Sequence, residues 1–175
     1  MKKTLIILSL LVLIVFLIAI GHRVRKDIKK KLNFENTYAI QNIETGLNIR
    51  PFDATIYNET PVIQYTHQNW ECISWEFIKL EDNTFLLKNL YTEKTFQPKS
   101  APKEGVEIWQ QSLGGTKWQY WEFIKQHDGT YLIKLKDYDL YLTAGSKELN
   151  SPIILKSLQN SNTQKWKLIR QNPWI

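Results

Sequence analysis

The chain has 175 residues, 43% of them hydrophobic and 13% aromatic, enough for one packed domain with an appendage. Its net charge of +6 is lopsided: residues 1–32 hold eight basic residues against one acid, Asp27, and residues 33–175 hold fifteen against sixteen. That distribution argues against nucleic-acid binding, which needs the cations on the folded part, and the single Cys72 excludes an intrachain disulfide framework.

After Lys2-Lys3-Thr4, the run from Leu5 to Ile20 is sixteen residues long and apolar throughout except for Ser9. It is long for the core of a secretory signal and slightly short for a comfortable membrane span. Ala19-Ile20-Gly21 has the small-x-small form of a cleavage site, but the basic stretch His22-Arg23-Val24-Arg25-Lys26 follows at once. We read residues 1–21 as an uncleaved signal anchor and residues 22–37 as a basic juxtamembrane tether, either solvated or against anionic headgroups. The distribution of Lys and Arg favours a cytoplasmic domain. The signal-like layout, with four residues before the apolar run, favours export. The expectation is a single-pass membrane protein with an extracytoplasmic domain; secretion after cleavage and a cytoplasmic-facing domain are the alternatives.

Beyond residue 37 the sequence repeats. Ser74-Trp75-Glu76-Phe77-Ile78, Tyr120-Trp121-Glu122-Phe123-Ile124 and Lys165-Trp166-Lys167-Leu168-Ile169 set their tryptophans 46 and then 45 positions apart. A fixed period of this size marks repeated supersecondary units, here 38–83, 84–129 and 130–175. Each opens on a short alternating segment: residues 38–43, 84–89 and 130–135. After a turn comes a second, at 47–49, 95–97 and 140–142, and after a polar loop a third, at 62–65, 106–109 and 153–156. The tryptophan segment is the fourth. Short stretches rich in β-branched and aromatic residues, separated by turn formers, predict an all-β domain over 38–175. Twelve strands in three equal units predict a closed barrel, because closure removes exposed strand edges. Trp75, Trp121 and Trp166, with Phe77, Phe123 and Leu168, are its expected filling.

Two of the tryptophans follow a glutamine, in Gln119-Tyr120-Trp121 and Gln164-Lys165-Trp166; the first repeat has Ile73-Ser74-Trp75. This pattern resembles the ricin-B-type β-trefoil lectins, whose repeats end in Gln-x-Trp. The resemblance covers roughly residues 38–170 and implies a β-trefoil of three four-stranded repeats behind the N-terminal helix. It further implies sugar sites built from an acid in the second strand, a ring at the end of the third and polar groups beside the motif. The second-strand position is Asn48, Thr95 and Tyr141, so the acid is missing from every repeat. The ring position aligns as Tyr65, Trp109 and Lys156, the polar position two before it as Ile63, Glu107 and Ile154, and the residue before the motif glutamine as Cys72, Trp118 and Thr163. The second repeat is the best carbohydrate-binding candidate, with Thr95, Glu107, Trp109 and Gln119; the first keeps Asn48 and Tyr65. Losing a charge-assisted hydrogen bond costs roughly 1.5–3 kcal/mol, so a galactose-like ligand is expected to bind weakly.

The sequence carries no enzyme signature, and no cofactor or metal is expected. His22, His67 and His127 are scattered without ligand spacing, Gly114-Gly115 is a turn signal, and Asp137 and Asp139 share a turn. Asn58-Glu59-Thr60 matches a glycosylation acceptor, a triplet expected by chance at this length. The functional expectation is a membrane-tethered, non-catalytic lectin-like module for glycans or glycoconjugates. The alternative is a degenerate trefoil that binds a protein, or serves as a toxin cell-binding subunit, through Trp70, Trp109, Trp118 and Trp174.

Overall fold

The computed structural model describes residues 36–173 and, in the N-terminal stretch, Ile14 alone. The expected anchor and tether therefore lie outside the described residues, apart from Ile14, Asn36 and Thr37, and so does Trp174. No helix among the described residues is long and apolar enough to cross a membrane.

The described chain is all-β, with four strands in each repeat. The first repeat holds β1 (Thr37–Asn42), β2 (Asn48–Pro51), β3 (Thr60–Tyr65) and β4 (Trp75–Lys79). The second holds β5 (Thr84–Asn89), β6 (Thr95–Pro98), β7 (Ile108–Gln111) and β8 (Tyr120–Lys125). The third holds β9 (Tyr131–Leu135), β10 (Tyr141–Ala144), β11 (Ile153–Lys156) and β12 (Lys165–Arg170). The third strand of repeat 2, expected over 106–109, starts two residues later as β7. Gly105 turns the chain at φ 82°, and Glu107 then bridges to Ile154 of the third repeat before β7 begins.

The first and fourth strands of each repeat form the barrel. β1 pairs β4, β4 pairs β5, β5 pairs β8, β8 pairs β9 and β9 pairs β12. β12 returns to β1 from Tyr38↔Arg170 to Asn42↔Trp166 and closes the cylinder. The second and third strands form hairpins β2–β3, β6–β7 and β10–β11. The hairpins meet one another through Pro61↔Trp109, Ile63↔Pro152 and Glu107↔Ile154. Only six of the twelve expected strands thus form the closed barrel and the other six cap it as three hairpins, the β-trefoil that the resemblance implies.

Alternation along the strands sorts the barrel interior into layers of one residue per strand. The central layer is Ile40, Trp75, Leu87, Trp121, Ile133 and Trp166, all fully buried. Each tryptophan satisfies its one donor on the second strand of its own repeat: Nε1–H donates to the carbonyl of Ile49 (3.2 Å), Phe96 (3.4 Å) or Leu142 (3.0 Å). The motif tryptophan thus fastens each hairpin to the barrel as well as filling it. The next layer, toward the open end, is Tyr38, Phe77, Phe85, Phe123, Tyr131 and Leu168. Its rings make edge and tilted contacts at centroid distances of 5.0–6.1 Å, the separations that aromatic pairs prefer.

Candidate functional site

The hairpins fix which residues are equivalent between repeats. Asn48 at the start of β2 lies opposite Tyr65, and Tyr141 at the start of β10 lies opposite Lys156. In the second repeat Thr95 lies opposite Gln111, whereas Trp109 lies opposite Gln97. The ring position that pairs with the second-strand residue is therefore Tyr65, Gln111 and Lys156. The alignment of Trp109 with Tyr65 is corrected by two residues; Trp109 corresponds to Ile63 and Ile154, the residues opposite Arg50 and Thr143.

Trp109 and Glu107 nevertheless form a cluster of their own. The indole Nε1–H donates to Glu107 Oε2 at 3.1 Å, and Lys99 Nζ donates to the same oxygen at 3.0 Å. The ammonium also stands 5.2 Å from the indole centroid, within cation–π reach. Backbone pairing aligns the three, since Lys99 N–H donates to the Glu107 carbonyl at 3.0 Å and Gln97 faces Trp109. The Lys99 hydrogen bond holds the Glu107 carboxyl below its ordinary range; burial opposes it to a lesser degree, and the Trp109 hydrogen bond adds a smaller lowering. A half-buried ring thus sits beside an acceptor biased toward its ionised form. Lys99 was not read from the sequence; its signal is its place directly after β6, across from Glu107.

Thr95 and Gln119 stand apart from this cluster. Thr95 is fully buried, its hydroxyl without a protein partner. Gln119 is 2% exposed, and its amide is committed to the fold. Its oxygen accepts from Gly114 and Gly115 N–H (3.0 and 3.1 Å), and its nitrogen donates to the Ser112 carbonyl and Gln97 Oε1 (both 2.9 Å). Gln164 repeats the arrangement, accepting from Gln159 N–H at 2.7 Å and donating to the Ser157 carbonyl and Thr143 hydroxyl at 2.9 and 3.1 Å. The motif glutamine is a staple from the loop to the second strand. It reaches Trp109 only through Gln97.

In the first repeat, Tyr65 is half-buried and Arg50 stacks on it, with the guanidinium carbon 3.6 Å from the ring centroid. Trp70 lies 6.4 Å away at a 32° tilt. Asn48, opposite Tyr65, is fully buried, and neither end of its amide has a protein partner. Cys72 sits in a small cluster with Ala39 and Ile73, and burial pushes its thiol pKa up. Arg50 was likewise missed; it lies two residues after Asn48 and so on the same strand face. The structure assembles two aromatic–polar clusters, Tyr65 with Arg50 and Trp70, and Trp109 with Glu107 and Lys99.

The remaining candidates are peripheral. Asp137 turns the chain at φ 63°, Asp139 pairs with Lys134 at 3.2 Å, and Trp118 Nε1–H donates to the Tyr138 hydroxyl at 3.2 Å. His67 and His127 are exposed, and no group of three metal-ligating residues occurs among the described residues.

No protein-family model matches the chain, and no curated protein matches it. Its fold is similar to many solved structures. A designed threefold-symmetric protein, ThreeFoil, superposes at a TM-score of 0.74 with 20% identity, over 77% of this chain and 99% of that one. The ricin B-like lectin of Macrolepiota procera, solved with lactose, superposes at 0.65 with 16% identity, over 77% and 94%. The cytolethal distending toxin of Haemophilus ducreyi gives 0.65 with 14% identity, over 80% and 85%. The likeness to ricin B-like trefoils is one of fold.

Proposed function

We propose that the chain is a membrane-tethered, lectin-like module that binds glycans or glycoconjugates through shallow sites on its hairpin cap, without catalysis. The observation that carries this reading is the Trp109–Glu107 pair. Sugar recognition needs an aromatic face for the apolar side of a pyranose and an acceptor for its hydroxyls. Trp109 supplies the first, and Glu107, ionised by Lys99, supplies the second 3.1 Å away. Tyr65, stacked on Arg50 and with the buried Asn48 opposite it, supplies the second aromatic face. Thr95 and Gln119 act from behind, as supports. The lactose-bound state of the Macrolepiota procera lectin is consistent with this reading, and the tether fits the apolar run before residue 21.

The test is a glycan array probed with the full chain in nanodiscs, beside Trp109→Ala and Tyr65→Ala. Binding lost in Trp109→Ala alone places the site in repeat 2; binding lost in Tyr65→Ala alone moves it to repeat 1. No binding by a folded chain overturns the proposal. One observation favours a protein partner as the second reading: Phe52, Ile56 and Tyr57, on the loop between β2 and β3, are 47%, 52% and 71% exposed. Aromatic and apolar residues grouped in this way mark interfaces. A blank array, together with a partner whose capture is lost in Tyr57→Ser, would establish that alternative.

A further inference from the structure

The end of the barrel away from the hairpins is open, and it has the form of a cup. The ring of Tyr38, Phe77, Phe85, Phe123, Tyr131 and Leu168 encloses about 280 Å³, with Asn36 and Lys79 at its rim. That is nearly twice the ~150 Å³ apolar void known to take up benzene. The buried tryptophan layer forms its floor.

Three cations surround the cup. Lys79, Lys125 and Arg170 each end the fourth strand of a repeat, four residues after the motif tryptophan, and all three are exposed. Each is paired in register with a ring of the cup: Lys79↔Phe85, Lys125↔Tyr131 and Arg170↔Tyr38. Directly opposed residues share a sheet face, with Cβ atoms about 4.5–5.5 Å apart. No carboxylate pairs with these three among the described residues. In the neighbouring turns Glu81 is taken by Lys136 at 3.2 Å and Asp128 by Lys165 at 2.7 Å, which leaves Asp82, among the described residues of these turns, against three cations.

We propose that this cup binds a single-chain anionic amphiphile of the fatty-acid class, its tail within the aromatic ring and its carboxylate among Lys79, Lys125 and Arg170. Charge complementarity argues for an anion, since like charges gathered at one rim repel until one is bound. The concave ring argues for a chain drawn into the protein. Insertion into a bilayer needs projecting apolar groups, and among the described residues the turns at the rim supply one, Leu80.

The experiment uses the full chain in zwitterionic nanodiscs and two photoaffinity probes, octanoate and octan-1-ol, each with a terminal diazirine. Adducts are mapped by peptide mass spectrometry. The expected result is octanoate labelling on the peptides of Phe77, Phe85 and Phe123, at least tenfold above the alcohol. It should fall at least tenfold in the Lys79→Gln/Lys125→Gln/Arg170→Gln chain. Should that triple variant lose its β circular dichroism, Lys125→Glu alone carries the test, with a threefold or greater loss expected. Equal labelling by the alcohol, labelling unchanged in the variants, or adducts away from the cup would overturn the proposal.

Discussion

Trp109 and Glu107 are two residues apart in sequence, and the indole of the first donates to the carboxylate of the second at 3.1 Å. An indole and a carboxylate so joined are held in one orientation, and Lys99 fixes the carboxylate from the other side at 3.0 Å. Its hydrogen bond is the largest cause of the lowered Glu107 pKa, with Trp109 a smaller one. Lys99→Met should therefore raise the Glu107 pKa toward its ordinary range by more than Trp109→Phe does, read by NMR titration of the side-chain carboxyl. A group with a lowered folded pKa stabilises above its unfolded pKa and loses that contribution as pH falls through the folded value. The wild-type chain should accordingly be more stable than Lys99→Met at neutral pH and lose more stability than the variant as the solution is acidified, because the pair dissolves in acid. Equal pKa responses in the two variants would mean that the lysine is not the principal partner.

Asn48 is fully buried with an unpartnered amide, opposite a half-exposed tyrosine. An amide buried without a partner costs about 1–3 kcal/mol. Asn48→Val, close to isosteric and suited to a strand, should raise the unfolding free energy by about 1 kcal/mol in a denaturant titration. If Asn48 serves ligand binding at Tyr65, the same substitution weakens glycan binding, the usual exchange of stability for function. A variant that is destabilised would show that Asn48 has a structural role in the native state.

The glutamine staples make a prediction about stability alone. Gln119→Ala frees the Gly114 and Gly115 N–H groups and the Ser112 carbonyl, and Gln164→Ala frees Gln159 N–H and the Ser157 carbonyl. These loop residues reach solvent, so water recovers part of the loss, and each change should cost about 1–2 kcal/mol. Chemical denaturation should show a lowered midpoint at constant slope, with glycan specificity unchanged. A change in specificity without loss of stability would return Gln119 to the binding surface.

Period and composition disclosed the barrel because one large side chain, tryptophan, must recur at the same level of a threefold interior. The 46- and 45-residue spacings are that geometry written in sequence. The candidate site was less legible, for an equally physical reason. Side chains alternate with a period of 2, so a slip of one residue inverts the pattern and shows itself, whereas a slip of two preserves it. Trp109 and Gln111 both fall on a face consistent with Tyr65, and only the pairing Thr95↔Gln111 separates them. The loops between second and third strands, which absorb the difference, contain the left-handed residues Asp53, Ala54 and Glu59 in repeat 1 and Gly105 in repeat 2. Their lengths do not follow the repeat. The cationic rim of the cup was legible as Lys79, Lys125 and Arg170 at a constant offset from the motif tryptophans. Its function is not legible, because nothing in a linear sequence shows that three strand ends converge.

Asp128 ties the turn after β8 to β12. One carboxylate oxygen accepts from Lys165 Nζ at 2.7 Å, and the other accepts from Thr130 N–H at 3.0 Å and the Thr130 hydroxyl at 2.5 Å. Lys165, then the two Thr130 donors, hold its pKa well below the usual carboxylate range. With the folded pKa depressed, the stabilisation is complete above the unfolded pKa, ~3.9, and is lost as pH falls through the folded value. Asp128→Asn keeps the turn-forming shape but removes the charge. It should lower thermal stability at pH 7, with the gap from the wild type closing as the pH is taken below about 3. The site is open to solvent, so added salt should shrink the same gap. Thermal unfolding of both chains at pH 7, 5 and 2.5 is the measurement. A gap that stays constant with pH would mean that hydrogen-bond geometry at Thr130, which Asn can imitate only in part, matters more than the ion pair with Lys165.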